Sequence, residues 1–191
     1  MEHLSTAVRH LTTAELEAGL DEVAGSPAEA GTVELIVRRP AVGEREVLTE
    51  GMLDTRVGLV GDTWPVRGSR DSVDGMANPD AQLTVMNVRA AQLVAQDQDR
   101  RMLAGDQLYV DLDLSPANLP VGTRLAVGGA VIELTGKPHL GCEKFAARFG
   151  NEAWRFVNSR AGRALRLRGL NARVVSSGAV RLHDPIRKLP A

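Results

Sequence analysis

Short segments with period-two alternation, each closed by Gly, Pro, Asn or Asp, recur along most of this chain and constrain its fold more than any other feature. GTVELIVRRP, residues 31–40, alternates Val33, Leu35 and Val37 against Glu34, Ile36 and Arg38, then stops at proline. EREVLTEGMLD, AQLTVMNV and DQLYVDLDL follow as further strand candidates. LPVGTRLAVGGAVIELTG reads as a tight hairpin turning at Gly128 and Gly129, and NARVVSSGAVRLHDPI as a last hairpin turning at Ser177 and Gly178. Helical periodicity is confined to three places. Thr12 and Glu15 have capping-box spacing ahead of Leu16, Leu20 and Val23, which predicts a helix over 13–24. RAAQLVAQDQDRRM puts Ala90, Leu93 and Val94 on one side, and Phe145, Phe149 and Phe156 recur at helical intervals from Glu143 to about Ser159. Parallel strands joined by crossovers need a helix after nearly every strand. The expected fold is therefore mainly β with a few helices: a curved, mostly antiparallel sheet or small barrel built between Thr32 and Ile186. Residues 1–30 are expected to form an N-terminal helical arm and 31–191 one domain.

At 191 residues the chain is long enough to bury a substantial core. A formal net charge of −1 argues against a polyanion binder, so no nucleic-acid partner is expected without a local basic patch. No stretch approaches the roughly 20 apolar residues of a membrane span, and the N-terminus lacks the apolar run of a signal peptide. The expectation is a cytoplasmic protein with no membrane association. GLVGDTWPVRGSRDSVDGMANPD, residues 58–80, is rich in Gly, Asp, Asn and Pro and reads as a long loop, and loops of that length in compact domains tend to be functional or disordered.

The chain has one cysteine, Cys142, in KPHLGCEKFAARFG. One thiol forms no internal disulfide and no four-thiolate zinc site. Cys142 follows a Gly- and Pro-containing loop and precedes the phenylalanine-bearing helix. Helix N-termini and neighbouring cations favour thiolates. Lys137, Lys144 and Arg148 are near in sequence, and Lys144 and Arg148 share a helix face. Free cysteine also commonly serves as a small buried hydrophobe, so local features leave both a reactive and a packing role open. His139 reads as a surface loop residue, His183 has no role, and no Cys-His-Asn triad is evident.

The order GLVGD, AQLTVMNV, AGDQLYVDLDL, LPVGTRLAVGGAVIELTGKPHLGCEKF, LNARVVSSGAVRLHDPI resembles the MOSC domain, found at the C-terminus of molybdenum cofactor sulfurases, in stand-alone bacterial proteins and in the mitochondrial amidoxime-reducing enzymes. The resemblance runs from about Thr32 to about Lys188. It implies a barrel-like β fold and the molybdenum cofactor, with Cys142 at the position of the family's working cysteine, as metal ligand or as sulfur (persulfide) carrier. A thiolate is a soft ligand suited to such a metal. The pterin dithiolene brings two sulfurs of its own, so one protein thiol is sufficient. For enzymes, the family implies reduction of small N-hydroxylated substrates with electrons from a separate redox partner protein. The alternative is a non-enzymatic cofactor- or partner-binding module whose cysteine is structural or only transiently used. Pyridoxal phosphate is not expected. The cofactor's anionic groups call for cations or amides, and Arg67, Arg70 and Lys137 are the candidates. Asp62 matches the family's aspartate in GLVGD, although threonine follows it where arginine is common. Asp106 and Gln107 occupy the last two positions of a pattern that in relatives is glycine-glutamate-asparagine or proline-asparagine. Thr84 and Asn87 lie on the strand that carries pocket residues in relatives, and because strand side chains alternate, at most one of them is expected to face the pocket.

Overall fold

The structure, a computed structural model, describes residues 9–69 and 74–190. Arg70, one of the residues expected to contact an anion, lies outside the described residues. Strands β1 (Ala30–Arg38), β2 (Glu46–Leu48), β3 (Glu50–Asp54), β4 (Gly58–Leu59), β5 (Leu83–Asn87), β6 (Leu108–Asp111), β7 (Arg124–Val127), β8 (Ala130–Leu134), β9 (Leu170–Ser176), β10 (Gly178–Arg181) and β11 (Pro185–Lys188) are accompanied by short helices. The main sheet runs β11-β7-β8-β9-β5-β6-β1-β2, and β1 also pairs with β11. That extra pairing closes seven strands into a barrel and leaves β2 as an appendage on β1. A closed sheet has no unpaired edge to protect. Its pairings are antiparallel except β5–β6, which run parallel. A parallel pair needs a crossover, and here it is α4 (Val88–Ala95) followed by a 3-10 helix at Gln98–Ala104. The expected mainly β, mostly antiparallel barrel is the observed fold.

The hairpin at Gly128–Gly129 is present, with Val127 facing Ala130. The C-terminal hairpin is not. β9 pairs with β8 and β5 inside the barrel, whereas β10 pairs with β3 in a separate sheet of three strands, β10-β3-β4. At Gly178 the backbone passes so close to the β7–β8 turn that an added Cβ would lie 2.1 Å from the Gly129 carbonyl. The glycine there permits a crossing between sheets where the sequence suggested a reversal. EREVLTEGMLD likewise divides between the two sheets, as β2 and β3.

Val33 and Ile36 join the barrel interior with Val85, Leu108, Val110, Leu125 and Ile132. Leu35 and Val37 belong instead to a second core under the helices. A register shift between Val33 and Leu35 breaks the period of two that placed all three on one face. The second core also takes Met86 and Tyr109 from the outer face of the barrel, Leu16 and Val23 from α1 (Thr13–Ala18) and α2 (Leu20–Ala24), and Phe145, Phe149 and Phe156 from α5 (Glu143–Phe149) and α6 (Asn151–Asn158). The three phenylalanines are buried as their spacing predicts. The two long helices expected at 13–24 and 143–159 are each broken at a glycine. Gly19 caps α1 and starts α2 beside the Leu93 side chain, and Gly150, at φ 90°, separates α5 from α6. The 58–80 segment holds β4, the short helix α3 (Trp64–Arg67) and a 3-10 turn at Pro79–Ala81.

Candidate functional site

Cys142 stands at the N-cap of α5, exposed, with extended backbone and with no side-chain capping bond. Its position is set by its neighbour. The Gly141 N–H donates to Asn158 Oδ1 (2.9 Å), and the Gly141 carbonyl accepts from Trp154 Nε1 (2.8 Å) and Asn158 Nδ2 (3.1 Å). A Cβ at Gly141 would meet Asn158 and Val157 at 3.0 Å, so α6 grips a bare backbone. At the other end of the loop, Asn171 Nδ2 on β9 donates to the Lys137 and Pro138 carbonyls (3.1 and 3.3 Å). The KPHLG loop is thus pinned from α6 and from the barrel, and it presents the thiol between them.

The thiol borders a cleft of about 380 Å³. Arg39 and Arg45 enter it from the end of β1 and the loop that follows, and Arg67 from α3. Lys137, Lys144, Arg148 and Arg168 complete its basic lining. Among the described residues that line it, none is a carboxylate. Lys144 and Arg148 share the cleft-facing side of α5, as their spacing predicts, while Phe145 between them is buried in the second core. The cations crowd one another. Burial, then the Arg148 and Arg39 charges, push Arg45 below its ordinary value, and burial followed by Arg39 does the same to Arg67. Like charges held this close in a low-dielectric cleft favour an anion between them.

Two buried carboxylates underlie this charge. Asp62 is paired bidentately with Arg39, at 2.7 Å from Nη2 and 2.8 Å from Nε, and also accepts from the backbone N–H groups of Arg39 and Trp64. Its side chain is fully buried. Asp62 therefore orients Arg39 from behind and does not line the cleft. Asp106, fully buried, accepts from Arg168 Nη1 at 2.6 Å and contacts His139 Nε2 at 2.8 Å. Burial alone would raise Asp106, but the Arg168 charge and His139 outweigh it and hold the carboxyl well below the usual carboxylate range. Burial, then Arg168, pushes His139 below its ordinary value against the opposing pull of Asp106. The ring is therefore neutral at pH 7 while the carboxylate is charged, so Nε2 carries the proton and donates. Burial and the Asp106 charge raise Tyr109 and keep its phenol protonated; its oxygen accepts from the Asp106 N–H. Arg168 also donates to the Ala104 carbonyl and lies 5.3 Å over the Phe145 ring, and its Nε has no partner.

Of the candidates read from the sequence, Cys142, Lys137 and Arg67 come together in the cleft. Asp62 and Asp106 sit behind its wall. Thr84 lines it and Asn87 does not. Asn87 caps α4 through the N–H groups of Arg89 and Ala90, and its amide donates to Ser26 and to the Leu112 carbonyl. Gln107 is also kept from the cleft: its Oε1 accepts from the Thr84 N–H and hydroxyl (2.8 and 2.6 Å), so it fixes Thr84 in place. His139, read as a surface loop residue, is held in the wall of the cleft by Asp106. Sequence reasoning missed Arg39, Arg45 and Arg168. The Arg38-Arg39 pair at the end of a strand was the one local signal for the first of them. Among the described residues, no group of three or more His, Cys, Asp or Glu is placed to hold a metal ion, so a metal here would have Cys142 as its one protein thiolate. No helix among them is long and apolar enough to cross a membrane.

No family model and no curated protein matches the chain. Solved structures do. A YuaD protein from Bacillus subtilis aligns with TM-score 0.59 at 16% identity, over 82% of this chain and 94% of that one. YiiM from Escherichia coli aligns with TM-score 0.55 at 20% identity, over 84% of this chain and 70% of that one. A structure described as a hypothetical protein gives 0.56 at 21%, over 84% and 69%. The likeness is one of fold, and the closed mixed barrel with its helical flank is a MOSC-type barrel.

Proposed function

We propose that the chain is a MOSC protein that holds the molybdenum cofactor in the Cys142 cleft, with Cys142 as the protein's one thiolate ligand. The observation that carries this is the pairing of a single exposed thiol, free of any capping bond, with a cleft lined by seven basic side chains and, among its described lining residues, by no acid. The donor set fits the group: a soft ligand for the metal, and guanidinium and ammonium groups for phosphate. When bound, the cofactor supplies a redox-active metal for reducing small N-hydroxylated compounds.

The protein's own part is to bind, orient and set charge. Arg67 and Lys137 fit the anionic groups, joined by Arg45, Lys144 and Arg148. Arg39 is held ready by Asp62, so it need not reorganise when an anion arrives. Asp106 fixes His139 with its Nε2 proton directed inward, which leaves Nδ1 as an acceptor in the cleft wall. Purifying wild type, Cys142→Ala and Arg67→Gln from a host that makes the cofactor, and measuring molybdenum per chain, tests the reading. Wild type should carry metal, Cys142→Ala none with its fold kept, and Arg67→Gln less while its thiol still alkylates. A wild type without metal even after reconstitution would refute it.

One observation favours a second reading. Cys142, itself exposed, also borders a groove lined by Arg67, Gly68, Ser69, Gly75, Glu143 and Lys144. A sulfur-carrying or partner-binding module would use that access, and would show a cyanide-labile persulfide on Cys142 in place of bound metal.

A further inference from the structure

A second cleft, of about 340 Å³, lies on the other side of the KPHL loop from the thiol. That volume is at the small end of the roughly 300–1,000 Å³ typical of small-molecule sites. Lys137, Pro138, His139, Leu140 and Arg168 border both clefts, so the loop is a shared partition. The remaining walls differ in kind from those around Cys142. Val121, Val157 and Leu170 give an apolar surface, and Arg163 and Arg166, from the end of α7 (Arg160–Ala164) and the turn after it, add charge. Among the described residues that line this cleft, none is acidic.

One of its arginines lacks the carboxylate that a buried arginine usually has. Arg166 is half-buried and donates from Nη1 to the Leu114 and Leu119 carbonyls (3.1 and 2.6 Å), with no described carboxylate paired to it. Its backbone is left-handed, at φ 45°, a conformation that disfavours a long side chain and is retained where the surroundings impose it. Arg168 is only 6% exposed and paired with Asp106, and its Nε has no hydrogen-bond partner among the described residues. A half-buried arginine with no described carboxylate, flanked by exposed Arg163 and set beside an apolar wall, suits a ligand that is apolar at one end and anionic at the other.

We infer that this cleft is a binding site for a small amphipathic monoanion: an aromatic or short acyl body lying against Val121, Val157 and Leu170, with a carboxylate or sulfonate facing Arg163, Arg166 and Arg168. The inference does not depend on what occupies the Cys142 cleft.

The probe is 8-anilinonaphthalene-1-sulfonate, which is amphipathic and anionic and fluoresces when its rings leave water. The uncharged N-phenyl-1-naphthylamine serves as its control. Both are titrated into the full chain at pH 7.5. Val121→Glu and Arg163→Glu each place a negative charge at the cleft from an exposed position, so the fold is retained, which thermal unfolding verifies. Saturable binding of the sulfonate is expected. Each variant should weaken it by about tenfold or more, the scale of a lost hydrogen bond to a charged group; Arg163→Glu should weaken the neutral probe far less, whereas Val121→Glu, which also removes part of the apolar wall, should weaken both. Decanoate should displace the sulfonate. Arg67→Glu, in the Cys142 cleft, should leave the affinity unchanged. The inference is overturned if binding does not saturate, if Arg163→Glu weakens both probes equally, or if Arg67→Glu abolishes binding while Val121→Glu and Arg163→Glu do not.

Discussion

Replacing Asp106 by Asn removes a charge and almost no volume, so it measures how far the Asp106–Arg168–His139 cluster holds the cleft wall together. Asp106 and Arg168 are both buried, at 2.6 Å, and His139 is bonded to the same carboxylate at 2.8 Å. Asn keeps one acceptor oxygen for Arg168 but leaves its buried charge uncompensated. It also places an N–H₂ where the His139 Nε2 proton points, which forces the ring into its other tautomer. Breaking a buried pair by removing one partner costs about 3–5 kcal/mol. For a domain of this size each kcal/mol lowers the melting temperature by roughly 2–4 °C. Asp106→Asn should therefore melt roughly 6–20 °C below wild type, with a matching fall in urea midpoint followed by circular dichroism at pH 7.5. The diagnostic variant is the double Asp106→Asn, Arg168→Met. Removing both charges eliminates the uncompensated one, so the double variant should be more stable than the two single losses added together, by about 2 kcal/mol or more. A single-variant loss under about 1 kcal/mol, or additivity within about 0.5 kcal/mol, would refute the view that charge compensation carries this wall.

Stability should fall on acidification in two steps. Below about pH 6.5 the unfolded His139 binds a proton that the buried ring resists, so stability is full above that pH and declines as the pH falls below it; His139→Gln should flatten this limb in urea titrations against pH. Below about pH 4 the unfolded Asp106 takes up a proton while the native carboxylate, held by Arg168, stays charged, and a second decline should follow that Asp106→Asn lacks. Gly169→Ala places a Cβ 2.2 Å from the Val85 carbonyl at φ 94°, whereas Gly122→Ala, at φ 88°, meets nothing within 4 Å. The second should cost only the left-handed penalty of about 1–2 kcal/mol and the first clearly more, and equal melting temperatures for the two would contradict the close strand contact at Gly169.

The residues alone determined the fold class and the setting of the thiol. Alternating segments divided by glycine turns are a local property, and the barrel, the Gly128–Gly129 hairpin and the burial of Phe145, Phe149 and Phe156 follow from it. The loop-then-helix pattern around Cys142 is equally local, and it placed the cysteine at an exposed helix N-cap. Periodicity could not say which face of β1 is inside, because the bulge after Val33 depends on the partner strand β6. Nor could it foresee that β9 and β10 part into different sheets, since that rests on the passage of Gly178 across a turn far away in sequence. The charge of the cleft is the clearest case. Arg39 and Arg45 sit far from Arg168 along a nearly neutral chain, and the three converge only when the barrel closes and the KPHLG loop is pinned against it. His139 reads as a loop residue because nothing near it in sequence is acidic except Glu143, and its actual partner, Asp106, lies 33 residues away, just before β6. Pattern along the chain reports which residues prefer burial. Only the tertiary structure decides which charges share a low-dielectric space, and the chemistry proposed for this cleft depends on that.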